Sequence, residues 1–205
     1  IPSAAELEEK GLETIILERL QPFIGMTIEE IAVKLEVPLV QGKQQRASLA
    51  EDISRRMFGV NTKKVVEFER ANIKIKTIFV NKHGTAEQHM SFPGFKYQGE
   101  GSILHEDWEA VEADDEDPDI TTNSAKANPP QFKKILDETR FLFIEYKSDS
   151  TSEILNRVKF WSMPPEDIEA FVRPVWQKTY DSINTGELSN LPEIKFNHKC
   201  HVRPH

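Results

Sequence analysis

Cysteine is nearly missing from this chain. Cys200 stands alone among 205 residues, so no disulfide can form within it. That excludes a small disulfide-framed secreted fold and favours a reducing cytoplasm. Long apolar runs are missing as well. No stretch approaches the ~20 consecutive apolar residues of a membrane span, so a cytoplasmic protein without a membrane partner is expected. The opening residues, Ile1-Pro2-Ser3, have neither Met nor the basic-then-apolar layout of a secretory signal, and are expected to mark a fragment boundary. There is no internal repeat. Hydrophobic residues at 38% and charged residues at 29% describe an ordinary globular protein. The length is within reach of one core with helical additions.

Basic residues are absent from one whole segment. Between Glu106 and Asp119 stand nine acids (Glu106, Asp107, Glu109, Glu112, Asp114, Asp115, Glu116, Asp117 and Asp119) and no Lys or Arg. Taking these nine charges from the net −8 leaves the rest of the chain at +1. A basic face is therefore available, and its local charge matters more to a polyanion than the total. Net charge does not exclude nucleic acid. The segment itself reads as a solvated loop, or else as a tether contacting a basic surface elsewhere.

What is present is an alternation of helices and strands. Ala4 to Leu20 predicts a helix, with Leu7, Leu12, Ile16 and Leu20 along one stripe. Thr27-Ile28-Glu29-Glu30 has the form of a capping box opening a helix to about Leu35. A polar basic loop, Gln41 to Arg46, follows. Leu49 to Phe58 reads as a helix closed by Gly59. Val65 to Phe68 is a short candidate strand, and Ile73 to Val80 a stronger one with Ile73, Ile75 and Phe79 on one face. Gln88 to Tyr97 is expected to be extended, and Gly99 to Pro130 to be an irregular excursion. Phe132 to Leu136 suggests a helix and Phe141 to Tyr146 a buried strand. Pro164-Pro165-Glu166-Asp167 starts a helix to Asn184, closed by Gly186, which Pro174 should kink or divide. Phe196 to Arg203 reads as a last strand.

Four stretches, in order, carry a resemblance to a known family. They are Leu20-Gln21 with Gly25 to Ala32; Leu49 to Gly59 with Glu67-Phe68 and Ile73 to Ile78; Phe160-Trp161-Ser162-Met163-Pro164 leading to an acidic helix with Trp176; and His201-Val202-Arg203-Pro204-His205. Together they resemble the MutH mismatch-repair nuclease and the Sau-type GATC restriction enzymes over nearly the whole chain. The likeness is greatest to the C-terminal, non-catalytic half of the Sau-type enzymes, which are built from two MutH-like halves. It implies an α/β restriction-endonuclease-like fold, a central mixed sheet flanked by helices with a small N-terminal helical arm. The expected layout is one domain over 1–205, with the arm at 1–48, the sheet core at 49–205 and the acidic excursion at 99–130, cut from a longer two-half enzyme.

The family's chemistry needs a divalent metal held by carboxylates, with a Lys beside the attacking water. Mg²⁺ demands oxygen ligands and polarises the scissile phosphate. In the family pattern a helix gives a Glu, a short strand an Asp, and the next strand Glu-x-Lys, whose two residues share a face. The resemblance places Arg55 at the helix acid, Glu67 at the Asp, and Lys74-x-Lys76 at Glu-x-Lys. Only Lys76 is retained. The expectation is a degenerate site with no catalytic residue, no metal and no cofactor in this domain, Mg²⁺ being needed by the catalytic half. The resemblance further implies that Arg203 and Pro204 read GATC. Arg donates two parallel hydrogen bonds to a guanine edge, and His205 replaces the family's Lys. Lys43, Arg46, Lys74 and Lys76 are candidate phosphate contacts, or simply surface charges.

Other signals have plainer readings. Asp137, Glu145 and Lys147 also spell an acid followed by Glu-x-Lys, but Glu145-Tyr146-Lys147 more simply ends a buried strand with its charges emerging into solvent. His198, His201 and His205 crowd together without zinc-like spacing. Trp161 and Trp176 read as packing residues. The expected function is binding of double-stranded GATC DNA as the allosteric half of a type II restriction endonuclease, partnered by the catalytic N-terminal half. The alternatives are an active Mg²⁺-dependent endonuclease and a scaffold for the catalytic half.

Overall fold

The structure is a computed structural model describing residues 4–39, 43–59, 66–110, 128–149 and 152–202, with 4–5, 43–47 and 66–67 described by backbone. These residues group into two compact units, one formed by Ile1–Met90 with Thr139–Trp161, the other by Ser91–Glu138 with Ser162–His205.

The first unit holds the sheet. Its N-terminal helix, expected to be continuous, is broken into α1 (Ala4–Lys10) and α2 (Leu12–Leu20) by Gly11 at φ +76°, a conformation open to Gly at little steric cost. α3 (Ile28–Lys34) opens as the capping box requires. Glu30 N donates to Thr27 Oγ1 at 3.2 Å, and Thr27 N donates to Glu30 Oε2 at 2.8 Å. α4 (Lys43–Met57) begins six residues earlier than expected, so Lys43 to Arg46 are helical rather than loop. It buries Ala50, Ile53 and Met57 along one side, and Gly59 at φ +71° follows it. The expected strand at Val65 to Phe68 is instead a helix, α5 (Val66–Arg70). A short apolar run does not distinguish the two. Here Phe68 packs edge-on against Phe58 at 5.0 Å between centroids, and Asn72, with φ +47°, turns the chain after it.

Three strands form the sheet in the order β1-β2-β3. β1 (Ile73–Val80) runs parallel to β2 (Arg140–Ser148), and β2 antiparallel to β3 (Glu153–Trp161). β1 and β2 fall where their apolar patterns predict, whereas β3 was not expected as a strand. The register shifts between Glu145 and Tyr146: Glu145 pairs with Arg157 but Tyr146 with Leu155, leaving Asn156 bulged out. The bulge lets Leu155 and Phe160, an odd number of residues apart, both enter the core. One sheet face, with Ile73, Phe79, Leu142, Ile144, Tyr146, Leu155 and Phe160, packs into a continuous core with Ile16, Leu20, Ile31 and Ile53 of the helices. The N-terminal helices thus contribute to the same core as the sheet.

The second unit contains no named strand among its described residues. Its spine is the helix expected from Pro164, realised as α7 (Pro165–Asp167), a π-helical turn at Ile168–Val172, and α8 (Arg173–Asn184). The wide turn lies directly before Pro174. Proline has no N–H and crowds the carbonyl four residues back, Ala170, so the widened turn relieves a clash that would otherwise kink the helix. α6 (Gln131–Glu138) and a 3-10 turn at Ile103–His105 pack on this spine.

The excursion expected from Gly99 to Pro130 is ordered at both stems. Glu106 bridges Asn128, Asp107 N donates to Asn128 O at 2.9 Å, and Trp108 is buried. Residues 111–127, with most of the acids, lie outside the described residues. Gln88 to Tyr97 joins no strand, and neither do residues 196–202. In the latter, Asn197 Oδ1 accepts from the backbone N of Lys199 and of Cys200. A side chain that satisfies its own backbone in this way favours a turn over a ladder.

Candidate nucleic-acid interface

The second face of the sheet gathers the candidate residues. In β1 the alternation that sends Ile73 and Phe79 to the core sends Lys74 and Lys76 to the opposite face. Cross-strand register then fixes their neighbours. Lys74 stands beside Phe141, which pairs with Trp161. Lys76 stands beside Phe143, which pairs with Lys159. Ile78 stands beside Glu145, which pairs with Arg157. Four cations from β1 and β3 thus flank a central row of two phenylalanines and one carboxylate.

Lys74 is exposed, whereas Lys76 is partly buried. Burial pulls the Lys76 ammonium below its usual range, the neighbouring Lys74 lowers it further, and Glu51 on α4 opposes both. Arg55, one turn along α4 from Glu51, donates to Glu51 Oε1 at 2.7 Å and makes a second ion pair with Asp52. Both acids flanking Arg55 are therefore engaged by it.

Glu145 departs from expectation. Rather than emerging into solvent, it is 7% exposed, and its carboxylate is held from two directions. Asn156 Nδ2 donates to Oε1 at 2.6 Å, while Arg157 Nε and Nη2 lie 2.8 and 2.7 Å from Oε2. The β3 bulge makes this possible by setting two residues, Asn156 and Arg157, against one. Asp137 lies on α6 of the other unit, whereas Glu145 and Lys147 lie on β2 of the sheet unit.

Trp161 does not sit in the apolar core. It lies partly exposed on the cationic face, 5.7 Å from the Phe143 ring and 6.0 Å from Phe141. Trp176 is buried, as expected, with its indole N–H donating to Glu106 Oε2 at 2.9 Å. Arg157, Lys159 and Trp161 were missed as site residues because β3 itself was missed. The alternating Arg-x-Lys-x-Trp of 157–161 was their only sequence signal.

The remaining candidates are placed less fully. Lys43 and Arg46 lie in α4 and Glu67 in α5, and their side chains are outside the described residues, as are Arg203, Pro204 and His205 entirely. The approach to Arg203 is tied down where Val202 N donates to Pro192 O at 2.9 Å. Cys200 is held by burial with its pKa raised to about 11. Among the described residues no cluster of three His, Cys, Asp or Glu side chains is placed to hold a metal ion, and no helix is long and apolar enough to cross a membrane.

The fold and this face together define a mixed α/β protein whose three-stranded sheet carries cations and aromatic rings on the face opposite its helical core. Nearly the whole chain is similar to part of a type II restriction enzyme. That relative is Sau3AI of Staphylococcus aureus, 30% identical over 222 residues, a match covering 98% of this chain and 42% of the enzyme. The chain spans less than half the length of this relative. No protein-family model matches it.

Proposed function

We propose that this chain binds duplex DNA at GATC as the non-cutting half of a two-half type II restriction enzyme, with the catalytic half as its partner. The observation that carries the reading is the pair Lys74 and Lys76, side by side on β1 where the family has Glu-x-Lys. A dication at that place would meet cations instead of ligands. Each would repel it by ~2 to 8 kcal/mol at 4 Å, for effective dielectrics between water and a protein surface. Glu51 raises the Lys76 pKa, and Arg55 already holds that carboxylate. These residues do not fit Mg²⁺, so the Mg²⁺ chemistry belongs to the catalytic half.

The same residues suit a phosphate. Lys76 carries its charge against burial and against Lys74, and an anion between the two would relieve both. Phosphate contacts of this kind give affinity and salt dependence without sequence information. Sequence reading falls to Arg203, stiffened by Pro204, with Lys43 and Arg46 adding phosphate contacts and His205 standing beside the loop. The active-nuclease reading through Glu145 is weakened, because Asn156 and Arg157 occupy that carboxylate.

The test compares GATC and scrambled duplexes at one salt concentration. Arg203→Ala is expected to cost ~1 to 3 kcal/mol on GATC and far less on the scrambled site. Equal losses would make Arg203 a phosphate contact only. Site-specific cleavage by the purified chain with Mg²⁺, abolished by Lys76→Ala, would replace the non-cutting reading by the active one.

A further inference from the structure

The cationic face contains a concavity that phosphate contacts alone do not use. It measures about 300 Å³, with apolar lining from Phe143, Trp161 and Met90 and polar lining from Glu145, Arg157 and Lys159. That is the lower end of small-ligand pockets, too small for a duplex and of a size with one base and its sugar. All its lining lies in the sheet unit. The polar groups have different duties. Arg157 neutralises Glu145 and Asn156 donates a hydrogen bond to it, so a buried charge is already balanced before any ligand arrives. Lys159 is exposed at the pocket, and Lys76 stands across Phe143 from it in register. Two strand spacings put them ~10 Å apart at the backbone. The result is an aromatic lining of two rings tilted by 36°, Phe143 lying between the two cations and Trp161 beside it.

We infer that this pocket takes a single unpaired nucleotide, its base against Trp161 and Phe143 and its flanking phosphates at Lys159 and Lys76. Aromatic rings flanked by cations are how proteins bind single-stranded nucleic acid, because every base has a face to stack while its backbone stays anionic. A base still inside a duplex cannot reach such a lining without leaving the stack, at a cost of a few kcal/mol that falls when it is already unpaired. The inference rests on the DNA reading above and gives it a second mode of contact.

The experiment measures fluorescence anisotropy of three labelled DNAs at one salt concentration: a perfect GATC duplex, the same duplex with one bulged base, and a single strand. The bulged duplex is expected to bind more tightly than the perfect one. Trp161→Ala should weaken the bulged duplex and the single strand about tenfold and the perfect duplex far less, and Trp161→Phe should restore most of the loss. Should Trp161→Ala lose its far-UV circular dichroism, Trp161→Leu, which keeps bulk without a ring to stack, carries the same discrimination. Equal effects on all three DNAs, or none, in a folded variant would overturn the inference. If the perfect and bulged duplexes bind equally, the pocket proposal falls and duplex binding stands. If single strand binds through Trp161 while perfect duplex does not bind, the pocket stands and the duplex reading falls.

Discussion

In the sheet unit, Lys74, Lys76, Arg157 and Lys159 come to one face of three strands whose other face is apolar core. In the other unit the charged side chains are turned to internal use. Glu106 accepts from the indole of Trp176 and from Gln131 N at the start of α6, where a negative charge also complements the helix dipole. Glu169 accepts from the indole of Trp108 at 2.9 Å, and Arg173 links Glu169 to Glu109. Lys133 and Arg173 both lie over the Trp108 ring. Carboxylates here hold a fold together, whereas the sheet collects cations on one face, where a single carboxylate, Glu145, pairs with Arg157. The net −8 averages over two such different uses that it describes neither.

The largest effect expected is in the sheet core. Leu142, 0% exposed on the central strand, should lose ~2 to 5 kcal/mol of stability as Leu142→Ala, read from urea unfolding. A smaller loss, about 2 kcal/mol, is expected for Glu106→Ala, which deprives an indole N–H and a helix N-terminus of a charged acceptor. If Glu106→Ala proves neutral, the carboxylate–indole framework does not support the second unit.

The pH response should also separate the two regions. Glu169 is held below its ordinary value of 4.5, first by the Trp108 hydrogen bond and then by Arg173, burial opposing them. A carboxylate with a depressed folded pKa contributes stability that is fully present above the ordinary value and lost as pH falls through the folded one. Acid titration monitored by tryptophan fluorescence should therefore show loosening around Trp108 below about pH 4.5, absent in Glu169→Gln. The smallest stability effect belongs to Lys74→Ala. Unfolding should shift by less than about 0.5 kcal/mol, while duplex affinity weakens for every sequence and the salt slope falls by about one.

The parts of this molecule legible in the sequence were those governed by local rules. The Thr27–Glu30 capping box, β1 with its Lys74–Lys76 face, the buried β2 and the long helix from Pro165 all follow from side-chain periodicity or capping chemistry. β3 did not, since the Asn156 bulge breaks the alternation that identifies a strand, and with it went Arg157, Lys159 and Trp161. Val66–Arg70 was misjudged because five residues are too few for period to show. At residues 196–202, Asn197 satisfies backbone donors that a strand would have paired. The burial of Glu145 depends on partners supplied by a different strand, which no local pattern encodes. The resemblance added what periodicity cannot: the expectation that Lys74 stands where the family has an acid.

The proposed function requires the chain to grip duplex DNA through cations and to read GATC without cutting. Its most direct test is the affinity of the purified chain for a GATC duplex against a scrambled duplex of equal length, with Mg²⁺ present, across a range of salt. An intact GATC duplex should be bound at least about tenfold tighter than the scrambled one, with affinity for both falling as salt rises. Equal affinity for the two duplexes, or binding indifferent to salt, would contradict it.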